Sequence, residues 1–229
     1  MHARTLSRRP ILSLVTDRRR LAEAGAGRLT LLDLVARAVE AGVDLIQIRE
    51  RDLTDADLLT LVRQCVAVAD GSATAVVVNE RVDVALAAGA SGVHLPGTAV
   101  TAALVRRSTP GGFVIGRSVH NLSEALAAEA SGGVDYLTFG TVFPSRSKPD
   151  VAPQGATALA ALVRATRVPV LAIGGVAVDN TGDVFRAGAS GVAAIDLFAE
   201  AARVDGGDGL RHVVDAVRTS YTKSHVSGE

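Results

Sequence analysis

Ala88-Gly89-Ala90-Ser91-Gly92-Val93 recurs unchanged as Ala187-Gly188-Ala189-Ser190-Gly191-Val192. Looser copies are Ala41-Gly42-Val43-Asp44 and Gly132-Gly133-Val134-Asp135. Each copy reads as the same local event: a helix ends, a Gly-containing turn follows, and an apolar strand begins. Working outward, Leu31, Leu34, Val35, Ala38 and Val39 repeat at helical spacing, predicting a helix over 29–41 that stops at Gly42. A strand follows over 43–49. The next helix, over 54–69, opens on Thr54 with Asp57 three residues on, in the manner of a capping box. Ala75-Val76-Val77-Val78-Asn79 is a continuous apolar run, as in a strand buried on both faces.

The alternation continues to the end of the chain. Helices are predicted over 81–88, 100–107, 122–131, 156–165, 179–187 and 209–219. Strands are predicted over 92–95, 113–116, 134–139, 168–173 and 191–195, and Ile11 to Val15 forms the first. That gives eight strands, each followed by a helix, and the four repeat copies introduce strands two, four, six and eight. Alternate strands fill alternate layers of a barrel interior, so a device shared by the even strands suits a single-domain (β/α)8 TIM barrel over 11–219. Residues 1–10 read as a disordered segment, the charged stretch 18–28 as loop, and 220–229 as a tail.

The chain has 229 residues with 48% hydrophobic, 21% charged and 3% aromatic content and no Trp, so its core must come from Val, Leu, Ile and Ala. Formal net charge is zero. Neither a nucleic-acid surface nor a membrane surface is indicated. The run from Ile11 to Val15 is too short for a signal or a span, which points to the cytoplasm. The single cysteine, Cys65, excludes an intrachain disulfide and falls in the apolar pattern of its helix.

In a barrel of this kind the loops after the strands form the working face. They supply Gln47, Arg49, Glu50 and Arg51 after strand two, Asn79 and Glu80 after three, and Pro96-Gly97-Thr98 after four. Strand five is followed by Arg117, Ser118 and His120, and strand six by Thr141 and the Ser145-Arg146-Ser147-Lys148 loop. Gly174-Gly175 follows strand seven. With Ala194 and Ile195 at the end of strand eight, it lies where this fold commonly binds phosphate. Arg49 and Arg117 are long cations suited to clamping a carboxylate or phosphate. His94, inside a strand, reads as a buried structural residue. No HxH, HExxH or cysteine cluster is present, nor a GxGxxG or Walker pattern at a helix start, so no metal or nucleotide site is expected from motifs.

Several segments together resemble the superfamily of thiamine phosphate synthase and thiazole tautomerase. They are Leu14-Val15-Thr16-Asp17, Ile46-Gln47-Ile48-Arg49-Glu50, Asn79-Glu80-Arg81-Val82-Asp83, Gly92-Val93-His94-Leu95, Phe139-Gly140-Thr141-Val142-Phe143 and Ala172-Ile173-Gly174-Gly175. The resemblance implies a (β/α)8 barrel acting in thiamine biosynthesis on a small phosphorylated thiazole. In the synthase branch, two Asp residues hold Mg²⁺ for a departing pyrophosphate. Here Glu80 and Ala99 stand at those positions, and alanine cannot ligate. Arg49-Glu50-Arg51, Leu95-Pro96 and Arg117-Ser118-Val119-His120 look more like the tautomerase branch. That resemblance implies an isomerase in which His120 transfers the proton that aromatises a carboxylated thiazole phosphate, a role for which imidazole is suited.

On this expectation Gln47, Arg49, Asn79, Arg117, Ser118 and Thr141 bind substrate. Gly174, Gly175, Ala194 and Ile195 bind its phosphate, and no metal or cofactor is needed. The alternatives are a Mg²⁺-dependent thiamine phosphate synthase and a non-catalytic relative that binds a thiamine-pathway metabolite. The Val142-Phe143-Pro144-Ser145-Arg146-Ser147-Lys148 stretch resembles the synthase's pyrophosphate loop. Asp196 stands where both branches usually have Ser. Apolar residues on the helix ring would allow a homodimer.

Overall fold

The computed structural model describes residues 6, 8–23, 29–147, 149–203 and 208–226. The expectations for residues 1–5, 7, 24–28 and 227–229, and for Lys148, lie outside the described residues. Eight parallel strands close into a barrel in chain order, the last pairing with the first. They are β1 (Ile11–Val15), β2 (Leu45–Ile48), β3 (Ala75–Asn79), β4 (Gly92–Leu95), β5 (Val114–Val119), β6 (Tyr136–Phe139), β7 (Val170–Ile173) and β8 (Gly191–Ala194). The surrounding helices are α1 (Arg18–Glu23), α2 (Leu31–Ala41), α3 (Asp55–Ala69), α4 (Val82–Ala87), α5 (Ala102–Arg107), α6 (Leu122–Ser131), α7 (Gly155–Ala165), α8 (Thr181–Arg186), α9 (Asp196–Ala201) and α10 (Asp208–Val226). This is a single-domain (β/α)8 barrel.

The repeated glycines have a steric cause. Gly92 opens β4 and Gly191 opens β8. A Cβ on either would stand 2.0 Å from the neighbouring strand's carbonyl oxygen, that of Val114 or Ile11. No side chain fits there. Gly42 closes α2 in the left-handed region, at φ 81°, where its N–H reaches the carbonyls of Ala38 and Val39. Thr54 caps α3 by accepting from the Asp57 N–H, an interaction worth about 0.5–2 kcal/mol.

Strand pleating sorts the core into two shells. One set of side chains, including Leu12, Leu14, Ile46, Ile48, Val76 and Val78, packs outward under the helices. The other set points into the lumen and comprises Ile11, Val15, Leu45, Ala75, Val77, Val114, Tyr136, Leu171 and Ala193. Each Leu or Ile removed from water contributes about 1.5–3 kcal/mol. Cys65 lies fully in the outer shell, and burial pushes its thiol up to about 12.

Three segments differ from expectation. Residues 18–23 form helix α1 rather than loop. It has little apolar periodicity and is held by tertiary ion pairs, Arg18 with Glu50 and Asp52, and Arg19 with Asp52. Strand β5 runs on through Val119, so Arg117 and Ser118 belong to the sheet and not to a turn. Helix α10 continues to Val226, where Tyr221 packs edge-on against Phe185 at 5.1 Å and stacks on His225 at 4.0 Å. Among the described residues no helix is long and apolar enough to cross a membrane.

Candidate active site

The lumen changes character from one end to the other. On β2, Leu45 points inward and Gln47 follows two residues later. On β3 the sequence of inward residues is Ala75, Val77, Asn79. β5 gives Val114, Gly116, Ser118, and β6 gives Tyr136, Thr138. β2 to β6 therefore each end, at the carboxyl end, in a polar side chain on the lumen face, whereas β1, β7 and β8 stay apolar there, with Val15, Ile173 and Ala193. Gln47, Asn79, His94, Ser118 and Thr138 line one cavity of about 600 Å³ together with Arg20, Arg49, Arg51, Thr98, His120, Thr141, Gly174 and Ile195.

These groups are held in place. Gln47 Nε2 donates to Asn79 Oδ1 at 3.0 Å. His94 Nε2 lies 2.8 Å from Ser118 Oγ, and Nδ1 lies 3.0 Å from the Tyr136 hydroxyl. Thr138 Oγ1 lies 3.2 Å from Ser118 Oγ. Burial drives the His94 pKa down to about 3, so the ring is neutral. Arg49 is anchored through its backbone, whose N–H donates to Thr16 Oγ1 at 3.0 Å, while the Thr16 hydroxyl donates to Glu50 Oε1 at 2.6 Å. Glu50 is buried and also accepts two bonds from the Arg18 N–H. Its role is to fix the end of β2. Burial, with Arg51 nearby, lowers the Arg49 pKa from its ordinary value, yet a guanidinium keeps its charge in proteins.

Gly174 and Gly175 turn through positive φ, 96° and 62°. A Cβ on Gly175 would stand 2.2 Å from the Pro144 carbonyl oxygen. The pair lets the 143–147 loop close over β7. Gly174, Gly175, Ala194 and Ile195 line a second cavity of about 490 Å³, with Arg20, Ser145, Arg146 and Asp196. The two cavities share Arg20, Ser147, Ile173, Gly174 and Ile195. The Asp196 carboxylate is matched by Arg20, whose Nη1 lies 2.9 and 2.8 Å from its two oxygens.

The structure thus brings Gln47, Arg49, Asn79, Ser118, His120 and Thr141 to one cavity, and the four expected phosphate residues to the cavity adjoining it. It does not bring Arg117. Because β5 extends to Val119, Arg117 falls on the pleat face opposite Ser118. There its guanidinium donates to the carbonyls of Val100, Gly97 and Ala99 at 2.8, 2.8 and 3.2 Å, bracing the loop before α5. His120 sits at the rim with its side chain 47% exposed. Glu124 Oε2 accepts from its backbone N–H at 2.8 Å and lies 3.1 Å from Nδ1. Sequence reasoning missed His94, Thr138 and Arg20 as cavity residues. The first two carried a signal, being two residues beyond a lumen position on their strands. Arg20 carried none.

The chain matches, over residues 12–198, the family described as thiamine monophosphate synthase. It belongs to this family. A thiamine-phosphate synthase of Albidiferax ferrireducens is 41% identical over 194 residues, covering 83% of this chain and 84% of that one. A thiamine-phosphate synthase of Methanoculleus marisnigri is 40% identical over 185 residues, covering 80% and 85%. Among solved structures, thiamine phosphate pyrophosphorylase from Pyrococcus furiosus superposes with a TM-score of 0.77 at 30% identity, covering 94% of this chain and 96% of that one.

These relationships overturn the tautomerase expectation. The segments that suggested the isomerase branch are three short stretches at the carboxyl ends of strands, whereas the similarity to proteins named as synthases runs through most of the chain. The expected role of His120 as the proton-transferring residue of an isomerase falls with it. The paired-carboxylate Mg²⁺ site of the synthase branch does not fit these residues either. Glu80 faces a side pocket beside Pro96 and Thr98, and Ala99 offers only a methyl group. The other carboxylates lining that pocket are engaged, Glu50 by Thr16 and Arg18, Asp55 by Arg81. Among the described residues no group of three or more His, Cys, Asp or Glu could hold a metal ion.

Proposed function

We propose that this family member is a thiamine-phosphate synthase, a transferase that joins a pyrimidine bearing a diphosphate to a phosphorylated thiazole. The bond from the pyrimidine's methylene carbon to the diphosphate oxygen breaks, a bond from that carbon to the thiazole ring forms, and diphosphate leaves. The observation that carries this reading is the pair of adjoining cavities. Two substrates with separate anionic ends need two anion-accepting regions that meet. Here the Gly174-Gly175 cavity, with its turned backbone, meets the larger cavity lined by Arg49, Arg51 and the Gln47–Asn79 pair. Backbone N–H groups of the glycine turn suit the thiazole phosphate. Arg49 and Arg51 suit the diphosphate, where charge builds on the leaving oxygen as the C–O bond breaks. Gln47 and Asn79, already bonded to each other, present fixed amides to a polar ring.

The test is to incubate purified protein with both substrates and Mg²⁺, and to follow thiamine phosphate and diphosphate by mass spectrometry. Equal amounts of the two products are expected. Binding of both substrates without product would overturn this reading in favour of a second one, a non-catalytic metabolite-binding relative. Ala99 is the residue that favours that second reading.

A further inference from the structure

We propose that Tyr136 is a positioning residue that locks His94 in its Nε2–H tautomer and so leaves the Ser118 hydroxyl as a committed hydrogen-bond donor to the ligand. The chain of reasoning starts at the buried end. Tyr136 is fully buried, and among the described residues its hydroxyl has one hydrogen-bond partner, His94 Nδ1 at 3.0 Å. A buried hydroxyl proton needs an acceptor, so the tyrosine donates to Nδ1. Burial keeps the phenol protonated by raising its pKa, and keeps the imidazole neutral. With Nδ1 accepting, the ring's one proton is on Nε2.

That proton points at Ser118 Oγ, 2.8 Å away. The Thr138 hydroxyl also donates to Ser118 Oγ, at 3.2 Å. Two donors occupy both lone pairs of the serine oxygen. Its own proton has one direction left, the cavity that Ser118 lines. The arrangement rules out the alternative in which His94 takes a proton from Ser118 and makes it a nucleophile, since that needs an unprotonated Nε2. The ligand atom opposite Ser118 is therefore an acceptor, such as an unprotonated ring nitrogen or a phosphate oxygen.

Gly116 completes the device. A Cβ at this position would stand 2.1 Å from Tyr136 Cζ and 2.4 Å from its hydroxyl oxygen. The missing side chain on β5 is the space that lets the tyrosine reach under His94.

Two measurements test the proposal. In protein labelled with ¹⁵N-histidine, long-range ¹H–¹⁵N correlation spectra separate the tautomers, and His94→Gln identifies the His94 signals. A pure Nε2–H pattern is expected, becoming a tautomer mixture in Tyr136→Phe. An Nδ1–H or imidazolium pattern in the wild type, or an unchanged tautomer in Tyr136→Phe, would overturn it. The wild-type spectrum decides even if the variant fails to fold. The second measurement is a double-mutant cycle on kcat/KM with Tyr136→Phe and Ser118→Ala. Losing one oriented hydrogen bond is worth about tenfold. Tyr136→Phe should cost that in the wild type and under about twofold when Ser118 is already gone. Equal costs in both backgrounds would show that the tyrosine does not act through Ser118. The kinetic arm rests on the transferase reading. The spectroscopic arm does not, so failure of the one can be told from failure of the other.

Discussion

The two ends of the barrel lumen share the same strands and the same pleat, yet their chemistry is opposite. Towards the amino ends of the strands, Ile11, Leu45, Ala75, Val114, Leu171 and Ala193 close an apolar plug. Two to four residues further along β2 to β6, Gln47, Asn79, His94, Ser118 and Thr138 form a polar arc facing the cavity. The backbone treats both layers alike. The lower layer supplies the stability that lets the upper one hold partly desolvated amides and an imidazole in fixed geometry.

The comparison can be broken most sharply at Leu45, which is fully buried. Leu45→Ala is expected to cost about 2–5 kcal/mol in urea unfolding, with kcat per folded molecule unchanged. Loss of turnover without loss of stability would mean that the plug is part of the site. One step up, Arg49→Met is expected to leave stability nearly intact and to lower kcat about 10²–10³-fold, as for removal of a charge-stabilising group. Arg49→Lys should recover only part, because it lacks the bidentate fork.

His94, in the polar layer and bonded down to Tyr136, gives a pH signature. The unfolded chain binds a proton near pH 6.5, while the folded His94 stays neutral down to about 3. The unfolded state therefore holds more protons within that window. Stability should fall as pH drops below about 6.5, by up to about 1.4 kcal/mol per unit from this residue. His94→Gln should flatten the slope measured by urea titration at successive pH values, and an unchanged slope would assign it to other groups. The smallest effect is expected at His120, which is exposed and tied to Glu124. His120→Ala should change thiamine phosphate formation by less than about threefold, under 1 kcal/mol of barrier. A loss of two orders of magnitude would restore it to the chemistry.

Much of this was legible in the residues. The glycine repeats and the alternation of apolar runs specified the barrel. Gly42, Thr54 and Gly174-Gly175 carried their backbone geometry in their identity. What could not be read was phase. Ending the fifth strand at Gly116 instead of Val119 left Arg117 and Ser118 in one undivided turn. Once the strand is extended, the pleat sends them to opposite faces, and only Ser118 reaches the cavity. α1 escaped because its stability comes from Asp52 and Glu50, far along the chain. His94 was recognised as buried, but burial alone does not tell a packed histidine from one whose partners line a site. The branch of the superfamily was misjudged because a few positions at strand ends were weighed above the whole chain.

Gly116 and Tyr136 are complementary in size across neighbouring strands, so neither can drift alone. An alanine at 116 has to displace the phenol ring, and a smaller residue at 136 leaves a void beneath the imidazole. Descendants of this chain should therefore keep both or exchange both in concert. Covariation of these two positions, neither of which lines the cavity, would then trace the lineage of the hydroxyl at 118.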